Sequence, residues 1–416
     1  MFKIAHLSDL HLGYTATRKT NAQGINLREA DGYVVFQKIV NDVIANEVDA
    51  VVVAGDVFHT PSPNMRSIQF AQKQFWQLWR AGIKVYILSG NHDLSDIRSE
   101  ISAARILNDE WKNIYSHAEP YVKHEIADGI NLHLVSHHMY SDQKDTMGQV
   151  KPVEDSINIF STHGSVIDPI LEMKLHTEHS PREVVIPDEL LADGWDYMFL
   201  GHIHERGWVG STDKTTDTAG SRIYYNGSSI RRGFSDKDVP LGRGWTLWEI
   251  GTDGTFTATP KQITQRPQYD FDIIDAKDLS ASDVSDLVVA NLHTTQLNGS
   301  TDFNSKTAPI VRQKIVNLSS SKYAGLDFKM IDNNTGHLMH WDLKHSPHEE
   351  ARDNQNTILH EGEITGSADV LKAYDDWKKN STALKNIDEE FRDKVAEDAK
   401  NYVKLGQEAT LDTEEE

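Results

Sequence analysis

Apolar positions along the first 260 residues switch between two spacings. FKIAHLS, residues 2–8, reads as a strand. From Val34 to Ile44 the apolar residues (Val34, Val35, Ile39, Val43, Ile44) return at helical spacing. DAVVVAG, residues 49–55, is a short unbroken apolar run, as in a strand buried on both faces. Ile68 to Trp79 is helical again, with Phe75, Leu78 and Trp79 on one side, and KVYILSG follows as the next buried strand. Further strands are predicted at NLHLVSH, SINIFSTH, DYMFLGH, RIYYNGS and GWTLWEI. Strands alternating with helices imply a layered α/β fold.

The pattern changes near Thr259–Arg266, where TPKQITQRPQ reads as a linker. Residues 268–345 are less regular and rich in Ser, Asp and Asn; within them KTAPIVRQKIVNL looks like a strand, and a small α+β domain is expected. From Ser367 the chain reads as helical. Val370, Tyr374 and Trp377 share one face, as do Leu384, Ile387, Phe391 and Val395, with Ser367 and Ser381 as N-caps. These helices would occupy 367–408 and precede an acidic tail at 409–416, expected to be disordered. There is no internal repeat.

Composition narrows the options. The 416 residues leave room for two to three domains and a sizeable core. No apolar run approaches the roughly 18 residues of a membrane span, and the N-terminus has no apolar signal core. The absence of cysteine excludes disulfides and thiolate metal sites and fits a reducing cytoplasm. A metal would have to be held by His, Asp, Glu or Asn, and there are 20 histidines. The net charge of −21 argues against generic attraction to nucleic acid, unless bound cations offset it locally. No GxxxxGK[ST] motif occurs, so the chain has no P-loop.

Candidate chemistry lies at the carboxyl ends of the strands, where open α/β sheets bind ligands. In chain order these ends carry Asp9 and His11 in SDLHLG, Asp56 and His59 in GDVFH, Asn91 and His92 in GNHD, His163 in STHG, and His202 and His204 in GHIH. Each motif alone could be a turn or a solvated strand end. Together, at successive strand ends, they could converge on one face. Carboxylate, amide oxygen and imidazole favour Mn²⁺, Fe²⁺ or Zn²⁺, with Mg²⁺ as a further option. Two ions about 3.5–4 Å apart would need a bridging carboxylate, for which Asp56 is the candidate. His92 follows Asn91 directly and can stand over the site as a proton donor without being a ligand.

The ordered set DxH, GD, GNH[DE], H and GHxH resembles the calcineurin-like metallophosphoesterase superfamily. The resemblance covers roughly residues 1–260. It implies a four-layered α/β fold, a β-sandwich flanked by helices. It also implies that Asp9, His11, Asp56 and His204 hold one metal and that Asp56, Asn91, His163 and His202 hold the other. SDLHLGY, GDVFHTPSP, GNHD and YNGS further resemble the SbcD-type branch of DNA double-strand-break repair nucleases. In that branch His59 would be a second catalytic histidine; the alternative is a cap on the next helix. The branch also implies a capping, DNA-binding domain at 268–345. A homodimer would form through the helices around Met65–Arg80 and after GNHD. The C-terminal helices would bind a coiled-coil ATPase of the SbcC type.

Arg18, Lys19, Arg28, Arg66, Arg231 and Arg232 are candidates for DNA phosphate contacts, with Arg231–Arg232 favoured. His6 reads as structural. His137 and His138 end a strand, and His176, His179, His340 and His345 read as surface residues. The leading expectation is a bacterial or phage-encoded cytoplasmic Mn²⁺ nuclease acting on duplex ends and single strands. A small-molecule phosphodiesterase or phosphatase of the same superfamily is one alternative. A DNA-end scaffold with little catalysis is another.

Overall fold

The computed structural model describes residues 1–93, 102–136, 148–166, 185–191, 194–211, 215–217, 220, 222–234, 241–296 and 303–347. The expected C-terminal helices, the acidic tail, His137, His138, His176 and His179 lie outside the described residues.

Two six-stranded sheets face each other. The first runs β12 (Phe256–Gln262), β11 (Gly244–Ile250), β1 (Phe2–Leu7), β2 (Ala50–Ala54), β3 (Lys84–Leu88), β4 (Ile114–His117). Strands β1 to β4 pair in parallel; β11 and β12 close the edge antiparallel. The second runs β5 (Tyr121–Ala127), β6 (Ile130–Val135), β7 (Ile157–His163), β8 (Tyr197–Gly201), β10 (Ile223–Tyr225), β9 (Gly207–Trp208). Its central pairs β6–β7, β7–β8 and β8–β10 are parallel.

The period of two along a strand explains the layers. In β2, Ala50, Val52 and Ala54 face the second sheet and pack with Leu132, Leu134, Phe199 and Trp248. Val51 and Val53 face the other way, onto Phe36, Ile39 and Val43 of α1 (Leu27–Ala45) and Phe75 and Leu78 of α2 (Met65–Arg80). All five side chains are buried, which is why the run is apolar without alternation. A third apolar layer covers the outer face of the second sheet, with Phe160, Met198 and Leu200 packed on Val150, Val166 and Ile186. The helices begin earlier than their apolar spacing predicts, because polar caps set their starts. Asn26 accepts from the Arg28 backbone N–H, and Asn64 accepts from that of Ser67.

Thr259–Gln262, expected as linker, instead belong to β12. Pro260 sits opposite Thr246 on an edge strand, where its missing N–H breaks no second ladder. Beyond it lies a smaller all-parallel sheet. Its centre is β15 (Ile310–Val316), flanked by β13 (Gln268–Asp270) and β14 (Ile274–Asp275) on one side and β16 (His340–His345) on the other. The helix Ala281–His293, opened by a Ser280–Asp283 capping box, packs Val284, Val288 and Leu292 onto this sheet. Leu27, Ala308, Ile310 and Met339 form the apolar joint between this region and α1. His340 is half-buried in β16; exposed His345 stacks on Tyr323 at 4.1 Å. Among the described residues no helix is long and apolar enough to cross a membrane.

Candidate metal centre

The loops leaving β1 and β2 are tied together by their backbones. The N–H groups of Asp9 and His11 donate to the carbonyls of Gly55 (3.1 Å) and Asp56 (3.0 Å), so the loop after β1 lies on the loop after β2. Asp9, His11, Asp56 and His202 all take positive φ (52°, 44°, 54° and 94°). Such conformations are costly for non-glycine residues and persist where surroundings enforce them. Gly55 has φ +87°, and a Cβ there would stand 2.2 Å from the His163 ring. At Gly90 a Cβ would stand 2.2 Å from the Asp56 carboxylate. Backbone without side chains is thus required on two sides of the cluster.

The structure brings Asp9, His11, Asp56, Asn91, His163, His202 and His204 together. One group forms around Asp9 and His11. His11 Nε2 lies 3.3 Å from His204 Nε2 and 3.9 Å from Asp9 Oδ1, and His204 Nε2 lies 3.5 Å from Asp9 Oδ1. A second group forms around Asn91, whose Oδ1 is 3.0 Å from His163 Nε2 and 3.3 Å from His202 Nδ1. Asp56 Oδ2 stands between them, 3.6 Å from His11 Nε2 and 3.4 Å from His163 Nε2. The other Asp56 oxygen accepts from the His92 backbone N–H at 2.9 Å. His163 Nδ1 donates to the Ala54 carbonyl at 2.8 Å, which turns Nε2 inward.

The electrostatics follow from burial and pairing. Burial alone would push the Asp56 carboxyl up, but His163, His11 and His92 hold it well below the usual carboxylate range. Burial likewise opposes the charge on His163, yet Asp56 and Asp9 raise it to about 9. Burial, then the Arg232 cation, pushes His11 well below the usual imidazole value. The same two causes lower His59 to about 4. His202 falls to about 4 through burial and the neighbouring His163.

His92 and His59 stand beside the cluster. His92 Nδ1 donates to the His59 carbonyl at 2.8 Å, because a carbonyl can only accept, and this leaves Nε2 as the ring's other proton position. The two rings stack at 5.4 Å, and His11 packs edge-on to both, at 4.8 Å from His92 and 5.5 Å from His59. His11, His59 and His92 also form a close three-nitrogen group of their own. Helix α2 is capped by Asn64, so His59 does not cap it.

The six basic candidates separate. Arg18 is exposed, and Arg66 is largely so, 3.5 Å from Glu29. Arg232 reaches the candidate ligand cluster, 3.1 Å from the His204 ring nitrogens, and Arg231 is half-buried beside it. Lys19 Nζ donates to the Leu338 carbonyl at 2.8 Å. Arg28, expected at a DNA phosphate, is buried at 5 % exposure. It donates to Asp31 and to the carbonyls of Arg231 and Arg232, so it holds the fold rather than facing solvent.

Several supporting residues were not singled out from sequence. The buried Asp93 carboxylate accepts from the backbone N–H groups of Val57, Phe58 and Gly90, clasping the GDVFH and GNHD loops together. Its place in GNHD was the available signal. Arg243 donates to the His204 carbonyl, and Arg206 to that of Asn226. Isolated arginines carry no sequence sign of such burial. His6, read as structural, is buried and stacks on Phe199 at 4.8 Å.

Residues 2–206 match the family of calcineurin-like phosphoesterases. The DNA double-strand break repair protein Mre11 of Saccharolobus solfataricus is 26% identical over 279 residues, 64% of this chain and 65% of that protein. Its namesake from Methanocaldococcus jannaschii is 27% identical over 216 residues, 48% of this chain and 51% of its own. The uncharacterized metallophosphoesterase YhaO of Bacillus subtilis is 25% identical over 211 residues, 48% of each chain. The chain thus spans about half to just under two thirds of the length of these relatives. Among solved structures, TT1561 of Thermus thermophilus aligns with a TM-score of 0.37 at 9% identity, over 62% of this chain and 98% of that one. A dimetal phosphatase from Danio rerio aligns with a TM-score of 0.32 at 12% identity, over 59% and 92%.

Proposed function

We propose that the calcineurin-like phosphoesterase domain carried by residues 2–206 works as a two-metal DNA nuclease, an exonuclease on duplex ends and an endonuclease on single strands. It would serve DNA end processing, recombination or repair. The observation that carries this reading is the position of Asp56 Oδ2 between two groups of ligand atoms. The donors fit divalent cations: imidazole nitrogens, carboxylates and one amide oxygen, with no thiolate. His11 Nε2 and His204 Nε2 face each other across 3.3 Å beside the Asp9 carboxylate.

In this reading Asp9, His11, Asp56 and His204 hold one ion, and Asp56, Asn91, His163 and His202 the other. Manganese is the ion proposed. Two such ions supply an activated water and positive charge beside the phosphoryl oxygens. The protein does the rest. His92 keeps its ring oriented through the His59 carbonyl and presents Nε2 to protonate the departing oxygen. His59, stacked on His92, is the second catalytic histidine. Arg232 and Arg231 meet the substrate phosphates, with the exposed Arg18 and Arg66 further out.

The organisation proposed is a nuclease unit at 1–260, a capping and DNA-binding unit at 268–345, and a segment at 367–408 that takes a coiled-coil ATPase. The Mre11 relatives support the DNA reading by their name. An outward face of α2 with exposed Met65, Trp76 and Trp79 supports a homodimer.

The test uses purified protein, 3′-labelled linear duplex DNA and Mn²⁺, with EDTA controls and a small phosphodiester in parallel. Progressive release of nucleotides is expected with Mn²⁺ only. Hydrolysis of the small ester with intact DNA, with and without an added ATPase subunit, would overturn the nuclease reading in favour of a small-molecule phosphodiesterase. Metal binding with no hydrolysis of either would favour a scaffold.

A further inference from the structure

The joint between the smaller sheet and α1 contains a chain of buried charges that ends at the metal cluster. Arg266 grips Asp31 with two donors, at 2.6 and 2.7 Å, and its remaining donors go to the carbonyls of Ser305 and Ala308. Those two carbonyls lie on the segment leading into β15. Asp31 also accepts from Arg28 at 2.7 Å. The other Arg28 terminal nitrogen donates to the carbonyls of Arg231 and Arg232, each at 2.6 Å. From there the Arg232 side chain reaches the His204 ring at 3.1 Å.

The arrangement has a directional logic. One carboxylate serves two guanidiniums, and both cations are buried, with side chains only 4 % and 2 % exposed. Losing its charge would leave two buried cations competing for backbone carbonyls alone. Arg28 would no longer be held in the orientation that pins the backbone of Arg232. The Arg266 fork needs both Asp31 oxygens, and its other contacts lie on the approach to the smaller sheet. Seating that sheet on α1 therefore fixes the backbone from which Arg232 extends.

Resting on the phosphodiesterase reading of the site, we propose that Asp31 is a positioning residue. Through Arg28 it sets Arg232 against the metal cluster, so that binding of a substrate phosphate there depends on the Arg266 anchor from the smaller sheet's side of the joint. Arg232 touches the substrate; Asp31 acts only through it.

The experiment titrates the Mn²⁺-loaded full chain with inorganic phosphate by calorimetry. It compares the native protein, Asp31→Asn, Arg232→Ala and the double variant, with bound Mn²⁺ measured in each. Asp31→Asn is expected to weaken phosphate binding about tenfold, the order of one charge-assisted contact, as does Arg232→Ala. The double variant is expected to match Arg232→Ala within about twofold, as coupled residues should. Native affinity in Asp31→Asn, or losses that simply add in the double variant, would overturn the proposal, as would absence of phosphate binding by the native protein. If Asp31→Asn does not fold, Arg266→Lys keeps the charge but loses the fork. It should show the same loss, and native affinity there would also overturn the proposal. Phosphodiester turnover by the native protein is assayed separately. Its absence alongside an intact binding cycle would sink the nuclease reading and leave Asp31's role standing.

Discussion

The candidate metal centre and the smaller sheet are built on opposite principles. The cluster gathers two carboxylates and several imidazoles in a buried space, and Asp9, His11, Asp56 and His202 among them take positive φ. The smaller sheet gathers apolar side chains under a well-capped helix. Placing polar groups and unfavourable backbone in one buried spot gives up stability, which marks a place where chemistry outweighs packing. The smaller sheet follows ordinary rules of packing, and its contribution to the site comes through the buried charges at its joint.

That contrast can be broken most forcefully at Asp56. Asp56→Asn should lower metal-dependent hydrolysis by at least about a thousandfold, since removing even one oxyanion donor costs about 10²–10³. Its circular dichroism spectrum should stay native. Unchanged turnover would show that the hydrolysis arises elsewhere. His92→Ala comes next: kcat should fall by about 10²–10⁴, the range of general acid catalysis, with two Mn²⁺ still bound by calorimetry. Loss of an ion instead would make His92 a ligand.

Changes in the apolar core of the other region should act on stability alone. Leu292 is fully buried in the core of the smaller sheet, and Leu292→Ala should cost about 2–5 kcal/mol in chemical denaturation. Metal stoichiometry should not change while the chain is folded. A lost ion in that variant would mean that the two regions are coupled more deeply than through the joint. The smallest effect concerns protons. Asp56 and Asp9 hold His163 at about 9 against its burial, so at pH 8 the metal-free ring is mostly protonated. A ligand nitrogen must be deprotonated, so Mn²⁺ loading at pH 8 should release protons. Calorimetry in two buffers of different ionisation heat reads this, and no release would mean His163 is not a ligand.

Legibility in the sequence divides along the same line. The cluster could be read because its residues sit at strand ends in short motifs, DLH, GD, GNH and GHIH, where side-chain chemistry is written out locally. The α/β layers could be read because runs such as AVVVA are apolar on both faces. Partnerships between distant residues could not be read. Arg28 looked like a surface cation, yet Asp31 three residues on and Arg266 far along the chain draw it inward. Pro260 looked like a linker signal, yet an edge strand tolerates proline. The smaller sheet assembles its all-parallel order from short, dispersed strands, two of them only two and three residues long, which leave little periodicity to detect.

The most direct test of the proposed two-metal centre is anomalous diffraction from crystals soaked in Mn²⁺. Two peaks about 3.5–4 Å apart are expected, with Asp56 between them, His11 and His204 on one and Asn91, His163 and His202 on the other. A single peak, or an ion held by His11, His59 and His92, would contradict it.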